Sequence, residues 1–209
     1  MDLLNRVLML VVHRDDECLS SGGTLLRCKE LYLHYYNDHH PNVEDILYDV
    51  EAELVRKALD CSVSYSAYKK VNDLRSFNSN CLITELEDVI NFFQPKTVIV
   101  PAPSYNQDHR VVFDIALTAL RVHDKNWYVR NVLLAEQPET STPAYKVFYP
   151  HLYIPINIDR KLALFNLYRS QQRSHRSPEH VRAIAQVRGM QCGQEAAEAF
   201  QVIRMTEDV

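Results

Sequence analysis

Apolar positions in this chain fall into two patterns, short unbroken runs and helical stripes. Residues 6–12 (RVLMLVV) and 97–102 (TVIVPA) are near-continuous apolar runs. Runs of this length and composition suit strands of a parallel sheet that is covered on both faces. Residues 31–36, 62–68 and 130–135 predict further strands, and 145–158 predicts one or two more, interrupted by Pro150 and Pro155. Between the strands, 17–28 predicts a short helix, weakened by Gly22 and Gly23. Residues 43–59 predict a longer one, with Val43, Ile46, Leu47, Val50, Leu54, Ala58 and Leu59 as its apolar stripe. Residues 82–93, ended by Pro95, and 109–122 are helical in pattern. A further helix runs from an Asp159 N-cap towards Gln171, and Ser177-Pro178-Glu179 opens another that stops near Gly189. Residues 195–204 close the chain as an edge strand or short helix. Strands alternating with helices predict a mostly parallel, three-layer α/β sheet forming a single domain over residues 1–209.

Polar clusters stand at the C-terminal ends of the two most apolar strands. His13, Arg14, Asp15, Asp16 and Glu17 follow the first; Ser104, Tyr105, Asn106, Gln107, Asp108 and His109 follow the second. In an open α/β sheet this is the edge at which ligands bind. An imidazole and three carboxylates together repel unless a cation neutralises them. The plainer reading is a solvated acidic turn, with Asp15 or Asp16 capping the next helix. The second cluster favours the metal: His13, Asp16 and His109 make an N,N,O set, the kind that binds catalytic zinc with one position open. A third cluster, Asn37-Asp38-His39-His40, follows 31–36, and Asp38 and His39 are candidates for substrate contact.

Composition narrows the function classes. With 46% hydrophobic and 24% charged residues and a formal net charge of -4, there is no global attraction for nucleic acid or an acidic membrane. Five cysteines without a C-x-x-C pair argue against a thiolate zinc site and for a reducing, cytoplasmic setting. The first residues are too short an apolar stretch for a signal peptide or a membrane span. Gly22-Gly23 lacks the spacing of a dinucleotide-binding loop.

The HRDDE of residues 13–17, the Gly22-Gly23-Thr24 after it and NQDHRVV at 106–112 resemble the LmbE/PIG-L family of zinc-dependent de-N-acetylases, which act on N-acetylglucosaminyl compounds and related amides. The usual motifs there are H-P-D-D-E and H-x-D-H or N-x-D-H. Both occur here in order, roughly 90 residues apart. Weaker likeness extends over Asn37-Asp38, KLALFNLYRSQ at 161–171, Arg188-Gly189 and EAF at 198–200. The resemblance implies a Rossmann-like fold, one zinc ion per chain held by His13, Asp16 and His109, Asp15 as general base, and a small N-acetylated sugar as substrate. It implies that Asn106 holds an oxyanion, since an amide donates a hydrogen bond but cannot shuttle a proton. Asp108 is then expected to orient a ligand histidine. Tyr105 either polarises the carbonyl or packs. Arg14 replaces the usual proline; it either meets an anionic group on the substrate or is solvated. If Glu51 matches the family's glutamate, Tyr48 stands where an arginine is usual. Arg173 and His175 lie on a basic loop able to reach substrate.

Two other classes compete. A non-catalytic carbohydrate- or nucleotide-binding module would keep the fold and need no metal. A cysteine hydrolase using Cys18 or Cys192 lacks an evident basic partner in sequence.

Overall fold

The computed structural model describes residues 3–37, 45–67, 74–124, 127–138, 148–174 and 176–206. Its centre is β1 (Arg6–Val11), whose residues from Val7 onward are fully buried. On one side lie β2 (Glu30–Tyr35) and β3 (Ser62–Tyr65), on the other β4 (Thr97–Pro101) and β5 (Asn131–Ala135), these five strands all running parallel. Two antiparallel strands complete the sheet: β7 (Ala197–Arg204) pairs with β5, and β6 (Leu152–Pro155) pairs with β7. The order is β3-β2-β1-β4-β5-β7-β6.

Alternation along β1 explains the layers. Val7, Met9 and Val11 enter one core with residues of α1 (Asp16–Leu25), α2 (Asp45–Leu59), α5 (Ile158–Phe165) and α6 (Pro178–Gln191). Leu8, Leu10 and the following Val12 enter the other, with α3 (Ser79–Phe93) and α4 (Gln107–Ala119). Burial on both faces is why β1 and β4 read as unbroken apolar runs. No helix among the described residues is long and apolar enough to cross a membrane.

Four expectations change. The inward face of α2 is Tyr48, Glu51, Ala52, Val55 and Leu59, while Ile46, Leu47, Val50 and Leu54 are exposed; Val43 lies outside the described residues. Tertiary partners select that face: Tyr48 stacks on Arg14, and Glu51 accepts hydrogen bonds from Ser170. The closing segment is a strand inside the sheet, with β6 taking the edge. Asn157, not Asp159, caps α5, its side chain accepting from the Arg160 amide at 2.9 Å. The helix then ends at Phe165, and a 3-10 turn at Arg169–Gln171 follows.

Gly23 allows α1 to approach closely: a Cβ there would lie 2.7 Å from Ile156. Beside it an ion pair is buried. Lys161 Nζ, on α5, sits 2.6 Å from Glu198 Oε1, on β7, and also donates to the Leu19 carbonyl at 2.8 Å. Glu198 accepts in addition from the Gly23 and Thr24 amides at 2.8 and 2.7 Å. One pair thereby fastens α1, α5 and β7 together.

His34 on β2 is 1% exposed, with Nδ1 2.8 Å from Ser64 Oγ. Burial pushes its pKa down from 6.5 to about 4. Between those values the unfolded chain binds the proton and the folded chain does not, so stability falls as pH drops through that window. The full loss is about 3 kcal/mol. Denaturant unfolding at pH 7 and pH 4.5 should therefore differ less for His34→Gln than for the parent. An equal difference in both proteins removes His34 as the source.

Candidate active site

Strands β2 and β3 fan out from β1 in one direction, β4 and β5 in the other. The crevice at the C-terminal ends of β1 and β4 is thus the switch point of the sheet, where α/β proteins bind their ligands. His13, Asp15 and Asp16 follow β1, and Asn106 to His109 follow β4. The topology brings together two clusters that are far apart in sequence.

Three side chains converge on one point. The ligand atoms offered by His13, Asp16 and His109 lie within 4.8 Å of one another. Asp16 Oδ2 is 3.2 Å from His109 Nε2 and 3.6 Å from His13 Nδ1. Neighbouring ligand atoms around a tetrahedral zinc at 2.0–2.2 Å stand about 3.3–3.6 Å apart, close to the two distances from Asp16. The two imidazoles are stacked, 5.4 Å between centroids. Electrostatics point the same way. Burial would lower His13, yet hydrogen bonds and charge from Asp108 and Asp16 raise it to about 10. Burial would raise Asp16, yet His109 and His13 hold it well below the usual carboxylate range. The cluster draws positive charge to itself.

Asp108 is a hub. Its Oδ2 lies 3.4 Å from His13 Nε2 and accepts from Asn37 Nδ2 at 3.2 Å; its Oδ1 accepts from the Leu74 amide at 3.1 Å. Burial works against its charge, but the His13 and Leu74 contacts bring its pKa below the ordinary value. An imidazole with one nitrogen on a carboxylate and the other facing Asp16 has the geometry of a metal ligand backed by a carboxylate.

Asp15 occupies the residue before α1 with φ 106°, and its side chain makes no capping bond to that helix. Its Oδ2 instead accepts from Arg176 Nη1 at 3.0 Å, and its amide donates to Glu17 Oε2 at 3.1 Å. Glu17 is fully buried; its Oε1 accepts from Tyr168 at 2.8 Å and Tyr35 at 3.2 Å. Burial pushes Glu17 up to about 7. The sequence motif shows Glu17 as a third acid, but nothing in it indicates the two tyrosines or Arg176.

Asn106 caps α4, its Oδ1 accepting from the Asp108 amide at 2.9 Å. That bond leaves Nδ2 as the group able to donate, and among the described residues nothing accepts from it. Tyr105 is 49% exposed. Arg14 is buried; its guanidinium lies 4.6 Å from the Tyr48 ring centroid and 2.7 Å from Asp49. The Tyr48 hydroxyl donates to the Arg14 carbonyl at 3.3 Å. Arg14 and Tyr48 thus contact each other. Arg173 is exposed and donates to the Ser170 and Gln172 carbonyls. Asp38, His39 and His175 lie outside the described residues. Cys18 is buried with its thiol pushed up by burial and then by the Glu17 and Asp15 charges, the wrong setting for a nucleophile.

No protein-family model matches the chain, and no curated protein does. Solved structures do. The conserved protein TT1542 from Thermus thermophilus is 18% identical with a TM-score of 0.79, over 98% of this chain and 97% of that one. The N,N'-diacetylchitobiose deacetylase from Pyrococcus horikoshii, solved with an inhibitor, is 18% identical with a TM-score of 0.77, over 98% of this chain and 88% of that one. This chain therefore shares the Rossmann-like fold of these two proteins, the fold that the LmbE/PIG-L resemblance implied.

Proposed function

We propose that this chain is a zinc-dependent amide hydrolase that releases acetate from an N-acetylated sugar or sugar conjugate. The observation that carries the reading is the convergence of His13, Asp16 and His109, whose ligand atoms lie within 4.8 Å of one another, in the crevice of a fold shared with N,N'-diacetylchitobiose deacetylase. Bound there, zinc would supply an acidified water, with a pKa near 7, and polarise the amide carbonyl. Asp15 receives the proton of the attacking water and returns it to the departing amine, since the Asn106 amide cannot act as an acid. Asn106 donates from Nδ2 to the oxyanion, with Tyr105 at the rim as a second donor. Asp108 fixes the ring of His13.

Metal content tests the reading. The purified protein should bind one zinc per chain, and His13→Ala and His109→Ala should each abolish it. A parent protein that takes up no zinc contradicts the proposal and leaves a binding module.

Asn106 has two jobs that substitution can separate. Asn106→Ala should slow turnover by about 10² to 10³, the usual cost of an oxyanion donor, and retain zinc. It should also lose about 1 kcal/mol of stability with the helix cap. Asn106→Asp keeps the cap but has no amide donor, so it should be stable and slow. A stable, fully active Asn106→Asp protein places the oxyanion elsewhere.

A further inference from the structure

Asp15 is 1% exposed and is held from several directions. Its φ of 106° is a conformation that non-glycine residues keep only where their surroundings impose it. Its amide is tied to Glu17, which is itself held by Tyr35 and Tyr168. These contacts set where the backbone lies but leave the carboxylate free to turn about its own bond. The contact that stops that rotation comes from Arg176, 161 residues away, whose Nη1 donates to Oδ2 at 3.0 Å. Among the described residues no donor reaches Oδ1.

Arg176 is itself well placed to hold an orientation. Its amide donates to the Arg173 carbonyl at 2.9 Å, and Ser177, the next residue, caps α6. A few residues earlier, Ser170 is anchored to α2 through two hydrogen bonds to Glu51, and Tyr168 reaches Glu17. Arg176 Nε is buried without a hydrogen-bond partner, which costs stability. The guanidinium is therefore not placed to satisfy all its own donors. What its placement secures is the carboxylate.

We propose that Arg176 is the positioning residue for the general base: by occupying Oδ2 it turns Asp15 so that Oδ1 faces the attacking water. The inference rests on the deacetylase reading of Asp15, and its test keeps the two separable. In the zinc-loaded protein, Arg176→Met should lower kcat by about 10- to 100-fold, the scale of a misplaced catalytic group. KM and zinc stoichiometry should stay near the parent's, and Arg176→Lys, which keeps one donor, should recover part of the loss. In an Asp15→Asn background, Arg176→Met should cause no further loss of kcat. A merely structural arginine would lower kcat by the same factor in both backgrounds. Denaturant unfolding of the four metal-free proteins gives a readout independent of turnover: the effects of the two substitutions should be non-additive. Additive unfolding overturns the contact, and undiminished kcat in Arg176→Met overturns the positioning role. If Asp15→Asn is fully active while unfolding remains non-additive, the base assignment has failed, and the positioning role falls with it.

Discussion

Asp15→Asn should retain one zinc per chain and lose turnover by a factor on the order of 10² to 10⁴, the usual contribution of a general base. The substitution is nearly isosteric, and asparagine accepts the left-handed backbone that φ 106° imposes at this position. The metal contacts belong to neighbouring side chains: Asp16 Oδ2 receives the His13 amide at 2.9 Å and faces His13 Nδ1 and His109 Nε2. Loss of the Asp15 charge leaves those atoms in place. The amide loses only the capacity to take a proton, so binding and chemistry should separate. The check is zinc analysis beside initial rates of acetate release. Undiminished turnover removes Asp15 from the chemistry; a metal-free variant makes it part of the metal site.

The largest effect on stability is expected from Lys161→Met. Lys161 and Glu198 are each 3% exposed, and the carboxylate is fixed by the Gly23 and Thr24 amides whether or not the ammonium is present. Removing Lys161 leaves a buried carboxylate without its counter-ion and a Leu19 carbonyl without that donor. Breaking one side of such a pair typically costs about 3–5 kcal/mol. The midpoint of denaturant unfolding should move accordingly with little change in slope. Lys161→Met/Glu198→Gln should recover part of the loss, because the stranded charge is gone. The half-exposed Glu53–Arg56 pair on α2 is the contrast, since water already screens it: Glu53→Gln should leave the midpoint nearly unmoved. A midpoint equally insensitive to Lys161→Met would show that the carboxylate is relieved by some other means.

Strands β1 and β4 were legible because burial on both faces leaves no polar position after Arg6 and Thr97, and their ends carry the two motifs. The inward face of α2 was not legible, because Tyr48 and Glu51 look polar until their partners Arg14 and Ser170 are known. Periodicity alone chose Ile46, Leu47, Val50 and Leu54, which the fold leaves exposed. Strand β7 was ambiguous for a related reason: its place between β5 and β6 is set by pairing, not by its own sequence. In the site, residues within the motifs could be singled out by their chemistry. The contacts that hold them come from distant segments, as Asn37 does for Asp108 and Tyr168 and Arg176 do around Asp15. The basic loop carrying Arg173 was visible; that Arg176, and not Arg173, contacts Asp15 depended on a turn no local pattern specifies.

The most direct test of the central claim is acetate release from a panel of N-acetylated sugars and sugar conjugates, measured with protein stripped by a chelator and then reloaded with one equivalent of zinc. The stripped protein should release no acetate, the reloaded protein should release it from at least one compound, and reloaded His109→Ala should release none. Release that persists without metal, or that survives in His109→Ala, would contradict it.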